Sequence, residues 1–153
     1  MDKLLISHRG NLFGSNPERE NTLSYITEAL NLGFHVEVDV WLLNNKYYLG
    51  HDRPEFIVDY DLFTNPYIWS HCKNINALEV LSLEPRANCF SHNNDDYILT
   101  SQNYIWHFPK LQPLTTNSIA VLPEKVKHWD LKNCFGICTD YVVYFKDKLK
   151  KEI

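Results

Sequence analysis

At 153 residues and a formal charge of −4, the chain is long enough for one cored domain and lacks the basic excess that nucleic-acid binding requires. Its 44% hydrophobic and 22% charged content suits a globular fold, and no run reaches the ~20 apolar residues of a membrane span. His8-Arg9 arrive too early for a secretory leader, and Cys72, Cys89, Cys134 and Cys138 form no C-x-x-C pair, so a cytoplasmic single domain over 1–153 with reduced thiols is expected.

Leu4-Leu5-Ile6-Ser7-His8 reads as a strand ending in a loop at Arg9-Gly10. Ser15 to Glu20 is turn-rich, and Asn21-Thr22 can cap a helix whose apolar face is Leu23, Ile26, Ala29, Leu30 and Phe34, stopped at Gly33. Val36-Glu37-Val38-Asp39-Val40 alternates with period two, which puts three valines on one face and two acids on the other. A surface strand could leave both acids in water. Inward-facing carboxylates would instead repel unless a cation sits between them. Asn44-Asn45 makes a turn into Tyr47-Tyr48-Leu49, which stops at Gly50-His51-Asp52. A hairpin with two acids on one arm and His-Asp closing the other has the makings of a metal-assisted acid/base site.

Beyond the hairpin, Asp59 to Asn65 predicts about one helical turn, with Glu55 and Asp59 to Asp61 in a solvated loop. Tyr67 to Cys72 is a strand, Ile75 to Leu83 a helix ended by Glu84-Pro85, and Asn88 to His92 a strand running into the polar loop 93–96. Tyr104 to Phe108 and Ser118 to Leu122 are strands stopped by Pro109 and Pro123. A short helix follows from Glu124 to Trp129, then a strand over Phe135 to Asp140 and a last helix over Lys146 to Glu152. Seven apolar runs end at His8, Asp39, His71, His92, His107, Glu124 and Asp140. In parallel α/β barrels the site is built at such strand ends. The chain is short against the ~250 residues typical of that fold, and the gaps after His92 and Phe108 leave little room for helices. The expectation is therefore a reduced TIM-type (β/α) barrel with several outer helices replaced by loops.

Four stretches, Ser7-His8-Arg9-Gly10, Glu20-Asn21-Thr22, Glu37-Val38-Asp39-Val40 and Gly50-His51-Asp52, follow the order and rough spacing of the glycerophosphodiester phosphodiesterases. The chain resembles a short member of that family, within the phosphatidylinositol-specific phospholipase C-like superfamily, closely over residues 4 to 73. The resemblance implies metal-dependent cleavage of a small phosphodiester. His8 and His51 would be general base and acid, with His51 the acid, and Arg9 would grip the phosphate. Glu37 and Asp39 would ligate one divalent cation, Mg2+ or Ca2+ with Mn2+ as an option, and Glu20 would be a further ligand or orient Arg9. Whether water or a substrate hydroxyl attacks, giving a hydrolase or a cyclising lyase, is left open.

Where family members carry Glu-x-Lys on the next strand, this chain has His71-Cys72-Lys73. Lys73 keeps the phosphate-binding type. An imidazole replaces the carboxylate, and His71 is either a ligand that favours Mn2+ or Zn2+ over Ca2+, or a pocket residue without a metal role. His92, Trp106 and Asp140 are further candidates for the substrate. Single histidines such as His92 and His107 are often just satisfied polar groups, and Trp41, Trp69 and Trp106 are as readily packing as ligand-stacking residues. A barrel short of helices leaves apolar strand faces that a homodimer would cover. The alternative of another class is a non-catalytic barrel that binds a phosphorylated ligand or partner.

Overall fold

The computed structural model describes residues 2–151. Two βα units open the chain. Strand β1 (Leu4–His8) leads through α1 (Leu23–Asn31) to β2 (His35–Leu43), and after a hairpin β5 (Ile68–Cys72) leads through α2 (Ile75–Ser82) to β6 (Asn88–Phe90). Thr22 caps α1 by accepting from the Tyr25 amide, and Asn74 caps α2 by accepting from that of Ala77. The hairpin strand β3 (Lys46–Leu49) returns along β2 through Asn44 and Asn45, both left-handed at φ 48° and 60°, the conformation a two-residue hairpin turn needs. Strand β4 (Phe56–Val58) adds antiparallel to β3.

The second half is nearly all sheet. Strand β7 (Tyr97–Leu99) runs antiparallel to β8 (Ile105–His107), and β8, β9 (Ser118–Val121), β10 (Gly136–Thr139) and β1 are parallel neighbours. Helix α3 (Val142–Lys151) follows and packs Val142 and Phe145 inward. The ten strands form one mixed sheet in the order β4-β3-β2-β1-β10-β9-β8-β7, with β5 and β6 branching from β2.

This overturns the expected TIM-type barrel. The sheet curls into a half-barrel of mixed strands, with antiparallel pairs at β2–β3, β3–β4 and β7–β8, and only three short helices occur among the described residues. The physical reason lies in the connections. Between β6 and β8 the chain spends Tyr97–Leu99 on an antiparallel strand. The β8–β9 link is a loop, and the stretch read as a helix from Glu124 to Trp129 is a single 3-10 turn, Pro123–Lys125. Phe56-Ile57-Val58, for which no element was expected, is a strand, and α3 starts at Val142, four residues before the expected Lys146; Glu152, its expected end, lies outside the described residues. No β6–β8 ladder closes the curl. Instead the Ser101 amide donates to Cys89 O at 2.9 Å, the Cys89 amide donates to Ser101 Oγ at 2.9 Å, and Gln102 Nε2 donates to Ala87 O. That loop covers the edge β6 would otherwise expose.

Period-two alternation sorts the side chains into two layers. Val36, Val38 and Val40 face Ile26, Ala29, Ala77 and Leu81 under the helices. On the concave side Ile6, Trp69, Phe90, Trp106, Ile119 and Cys138 form a second apolar cluster. Two residues after Ile6, Trp69 and Cys138 on the same face come His8, His71 and Asp140, so the polar groups sit one step above an apolar floor. All four cysteines are buried and free.

Candidate functional site

The site stands at the C-terminal ends of β1, β5 and β10 and along the first half of β2. Strand register brings it together: His8 is level with Glu37 across β1–β2, and Asp39 with His71 across β2–β5. Glu37 and Asp39 share the concave face of β2, 2% and 0% exposed. Burying two acids on one strand is costly. The three fully buried valines on the opposite face contribute about 1.5–3 kcal/mol each, which lets the strand carry them.

Three donor groups, Glu37, Asp39 and His71, each bring one ligand atom within 4.8 Å of the others. His71 Nδ1 stands 3.1 Å from Asp39 Oδ1 and 3.8 Å from a Glu37 oxygen. These are ion-pair distances rather than aligned hydrogen bonds, and Glu37 Oε2 and Asp39 Oδ1 are buried without a hydrogen-bond donor. Native folds leave few such atoms. Asp39 Oδ1 faces His71 Nδ1, while the orphaned Glu37 Oε2 is turned toward His8 Nε2 and Glu37 Oε1 is the oxygen 3.8 Å from His71. Two carboxylates with an orphaned oxygen each, beside an imidazole nitrogen, fit one shared divalent cation, so these residues can hold the metal that the resemblance implies.

Around them lies a frame of hydrogen bonds. Asn21 donates from Nδ2 to Asp39 Oδ2 at 3.0 Å and accepts the Asp39 amide on Oδ1 at 3.0 Å. Arg9 Nε stands 3.0 Å from the same Asp39 Oδ2, and Arg9 also donates to Glu20 at 3.2 Å. Asn11 Nδ2 donates to both Glu20 and Asp140 at 2.9 Å. His8 Nδ1 pairs with Asp140 Oδ1 at 2.6 Å, and its Nε2 points toward Glu37 at 3.8 Å. The Asp140 amide in turn donates to Glu124 at 3.0 Å. Arg9 and Asn21 both adopt left-handed φ, 57° and 62°, and the Asn21 amide donates to Arg9 O. Strain of this kind persists only where the surroundings over-determine it, and it clusters at functional sites. Gly50, at φ 153°, makes the turn into His51 where a Cβ would lie 2.0 Å from Arg53 O.

Electrostatics follow from this packing. Burial raises the Glu37 pKa, and the neighbouring Asp39 charge raises it further. Burial acts the same way on Asp39, but its contact with His71, the Arg9 charge and the Asn21 bond outweigh it and hold Asp39 well below the usual carboxylate range. For His8 burial works downward and is overcome by the Asp140 bond and the Glu37 charge, so its pKa is raised. Burial pushes Asp140 up, yet the His8 and Asn11 bonds bring it below its ordinary value.

The sequence-derived candidates separate into those that meet and those that stay apart. His8, Arg9, Glu37, Asp39, His71 and Asp140 meet. Glu20 ties down Arg9 and Asn11 and lies outside the acid–imidazole triad. Asp140, expected to touch substrate, is bonded to His8. His92 enters through its backbone, its carbonyl accepting from His71 Nε2 at 3.0 Å, while its ring bonds to Asp95 O. Trp106 is 3% exposed and stacks with Phe90 and Trp69 in the apolar floor. His107 is satisfied by Ser118 and Gln112. His51 is half-exposed, its Nδ1 2.8 Å from Asp52, and Lys73 forms no ion pair among the described residues. Sequence reasoning passed over Asn11 and took Asn21 for a helix cap. Only the left-handed tolerance of asparagine hinted otherwise. A cleft of about 940 Å³ lined by Glu124, Lys125, Trp129, Tyr141 and Tyr144 adjoins the cluster and shares Asp140 with it.

No family model, curated protein or solved structure matches this chain. Among the described residues no helix is long and apolar enough to cross a membrane.

Proposed function

We propose that the chain is a cytoplasmic, metal-dependent phosphodiesterase of the glycerophosphodiester type, cleaving a small phosphodiester by acid/base catalysis with two histidines. The observation that carries this reading is the convergence on the concave face of the sheet of a carboxylate-held imidazole, an arginine and the Glu37–Asp39–His71 triad, whose two acids are buried. Glu37, Asp39 and His71 would hold a divalent cation there, which would supply electrostatic stabilisation of the charge that develops on the phosphoryl oxygens.

The chain's own residues do the rest. His8 takes the proton of the attacking hydroxyl at Nε2, because Nδ1 is committed to Asp140. The Asp140 carboxylate stabilises the imidazolium that forms, and the raised pKa of His8 makes it the stronger base. Arg9, anchored by Glu20 and Asp39, presents the remaining guanidinium hydrogens to phosphate. His51 bonds Asp52 through Nδ1, which leaves Nε2 to give a proton to the departing alcohol.

A leaving-group experiment tests these roles. Removing either histidine costs roughly 10²–10⁴-fold in turnover of an alkyl phosphodiester. A p-nitrophenyl ester, whose alcohol departs without a proton, restores the His51→Ala variant and leaves His8→Ala impaired. Equal losses with both substrates would undo the assignment. One observation favours a second reading, a non-catalytic phosphate-binding protein: His51 is 44% exposed and bonded to its own neighbour rather than to the cluster. That reading expects tight binding of phosphorylated ligands and no turnover.

A further inference from the structure

We infer that His71 is a nitrogen ligand that turns this site from alkaline-earth cations toward first-row transition dications. The inference rests on the metal reading above and concerns which cation the triad takes. Two carboxylates alone would make a hard, all-oxygen pair suited to Mg2+ or Ca2+. The third donor here is an imidazole, and three features of its surroundings fit it for ligation rather than for packing.

The first is tautomer control. His71 Nε2 donates to the His92 carbonyl at 3.0 Å. With Nε2–H committed, the lone pair of the neutral ring lies on Nδ1, the atom that faces Asp39 at 3.1 Å and Glu37 at 3.8 Å. Ligating histidines are held by this kind of backbone bond on the opposite nitrogen, which fixes the ring and raises its basicity. The second is orientation. The ring stacks on Phe90, centroids 5.1 Å apart and planes 12° apart, and Phe90 lies opposite His71 in the β5–β6 register. A swing of the ring out of its plane would lose the stack, and a half-turn within the plane would lose the carbonyl bond. The third is the pair of orphaned oxygens. Asp39 Oδ1, the oxygen that Nδ1 faces, is buried with no hydrogen-bond donor, and so is Glu37 Oε2, the second oxygen of the carboxylate whose Oε1 stands 3.8 Å from Nδ1.

One nitrogen and two carboxylates form a mixed donor set of the kind zinc and other transition dications accept, whereas Ca2+ and Mg2+ gain little from imidazole. Asn21 and Arg9 both contact Asp39 Oδ2, so Oδ1 is the oxygen left for the ion.

The test needs no substrate. Calorimetric titration of the whole chain with Co2+, Mn2+, Mg2+ and Ca2+ is predicted to rank the first two above the last two. Pulsed electron paramagnetic resonance of the Mn2+-loaded protein is predicted to show coupling to a ligand nitrogen. His71→Glu restores a third carboxylate; His71→Gln keeps a neutral side chain and supplies an oxygen donor, which guards against misfolding from the extra charge. In both, the nitrogen coupling disappears and the preference for Mn2+ over Mg2+ falls by roughly 10–100-fold. Nitrogen coupling that survives both substitutions, or an unchanged Mn2+ to Mg2+ ratio, overturns the assignment of His71 while leaving a carboxylate metal site standing. A wild-type chain that takes up none of the four cations overturns the metal reading itself.

Discussion

Glu37→Gln removes one charge from the buried acid pair at nearly constant shape. One oxygen of each carboxylate lies within 4.8 Å of one of the other, and like charges at that distance repel by roughly 3–4 kcal/mol at an effective dielectric of ~20. Arg9, 3.0 Å from Asp39, and His8 and His71, each 3.8 Å from Glu37, offset part of that. The net gain on neutralisation in metal-free buffer is about 1–2 kcal/mol, or roughly 2–8 °C in Tm for a chain of this size. The pH dependence has a definite sign. The folded pKa of Glu37 is raised above 4.5, so its contribution is fully present below the unfolded pKa and is lost as pH rises through the folded one. The advantage of the variant therefore opens upward from about pH 4.5 and is complete above the folded pKa. Thermal unfolding in chelator and with saturating Co2+ reads both halves: the variant is the more stable without metal and gains less with it. A Glu37→Gln protein that melts below wild type in chelator at neutral pH, and gains as much from Co2+, would refute the reasoning.

Asp140→Asn weakens a charged hydrogen bond to a neutral one and costs about 1–2 kcal/mol. Because His8 is raised and Asp140 lowered, the deficit is fully present between the ordinary carboxylate and imidazole values and is lost as pH falls through the folded pKa of Asp140 or rises through that of His8; NMR titration of the His8 ring shows its pKa fall, and an unmoved His8 contradicts the pairing. Asn21→Ala removes two buried bonds at Asp39 and puts alanine at φ 62°, a loss of roughly 3–5 kcal/mol by urea unfolding. A loss below about 1 kcal/mol takes Asn21 out of the support of Asp39.

How legible the molecule was in its sequence depended on whether side chain or backbone carried the information. Period two in Val36 to Val40 and the polar strand ends His8, His71 and Asp140 could be read directly, because i and i+2 share a face whatever the sheet closes into. The barrel could not. Tyr97-Ile98-Leu99 is too short, and too closely flanked by Asp95-Asp96 and Thr100-Ser101, to announce an antiparallel strand. The expected barrel of parallel strands, with loops for several outer helices, therefore extends past the point where the connections support it. The His92 carbonyl that orients His71 is a main-chain group and leaves no mark on residue type. Asn21 sat beside a true cap, Thr22, and its side chain was claimed by Asp39 only once the left-handed turn was formed.

Turnover of a p-nitrophenyl phosphodiester by the wild-type chain, with Co2+, Mn2+, Mg2+ and Ca2+ supplied in parallel and a chelator control, tests the central claim most directly. The expected result is hydrolysis that chelator abolishes, that added cation restores, and that Glu37→Gln and His8→Ala each lose. No turnover with any of the four cations, or turnover that neither chelator nor these two substitutions diminish, would contradict it.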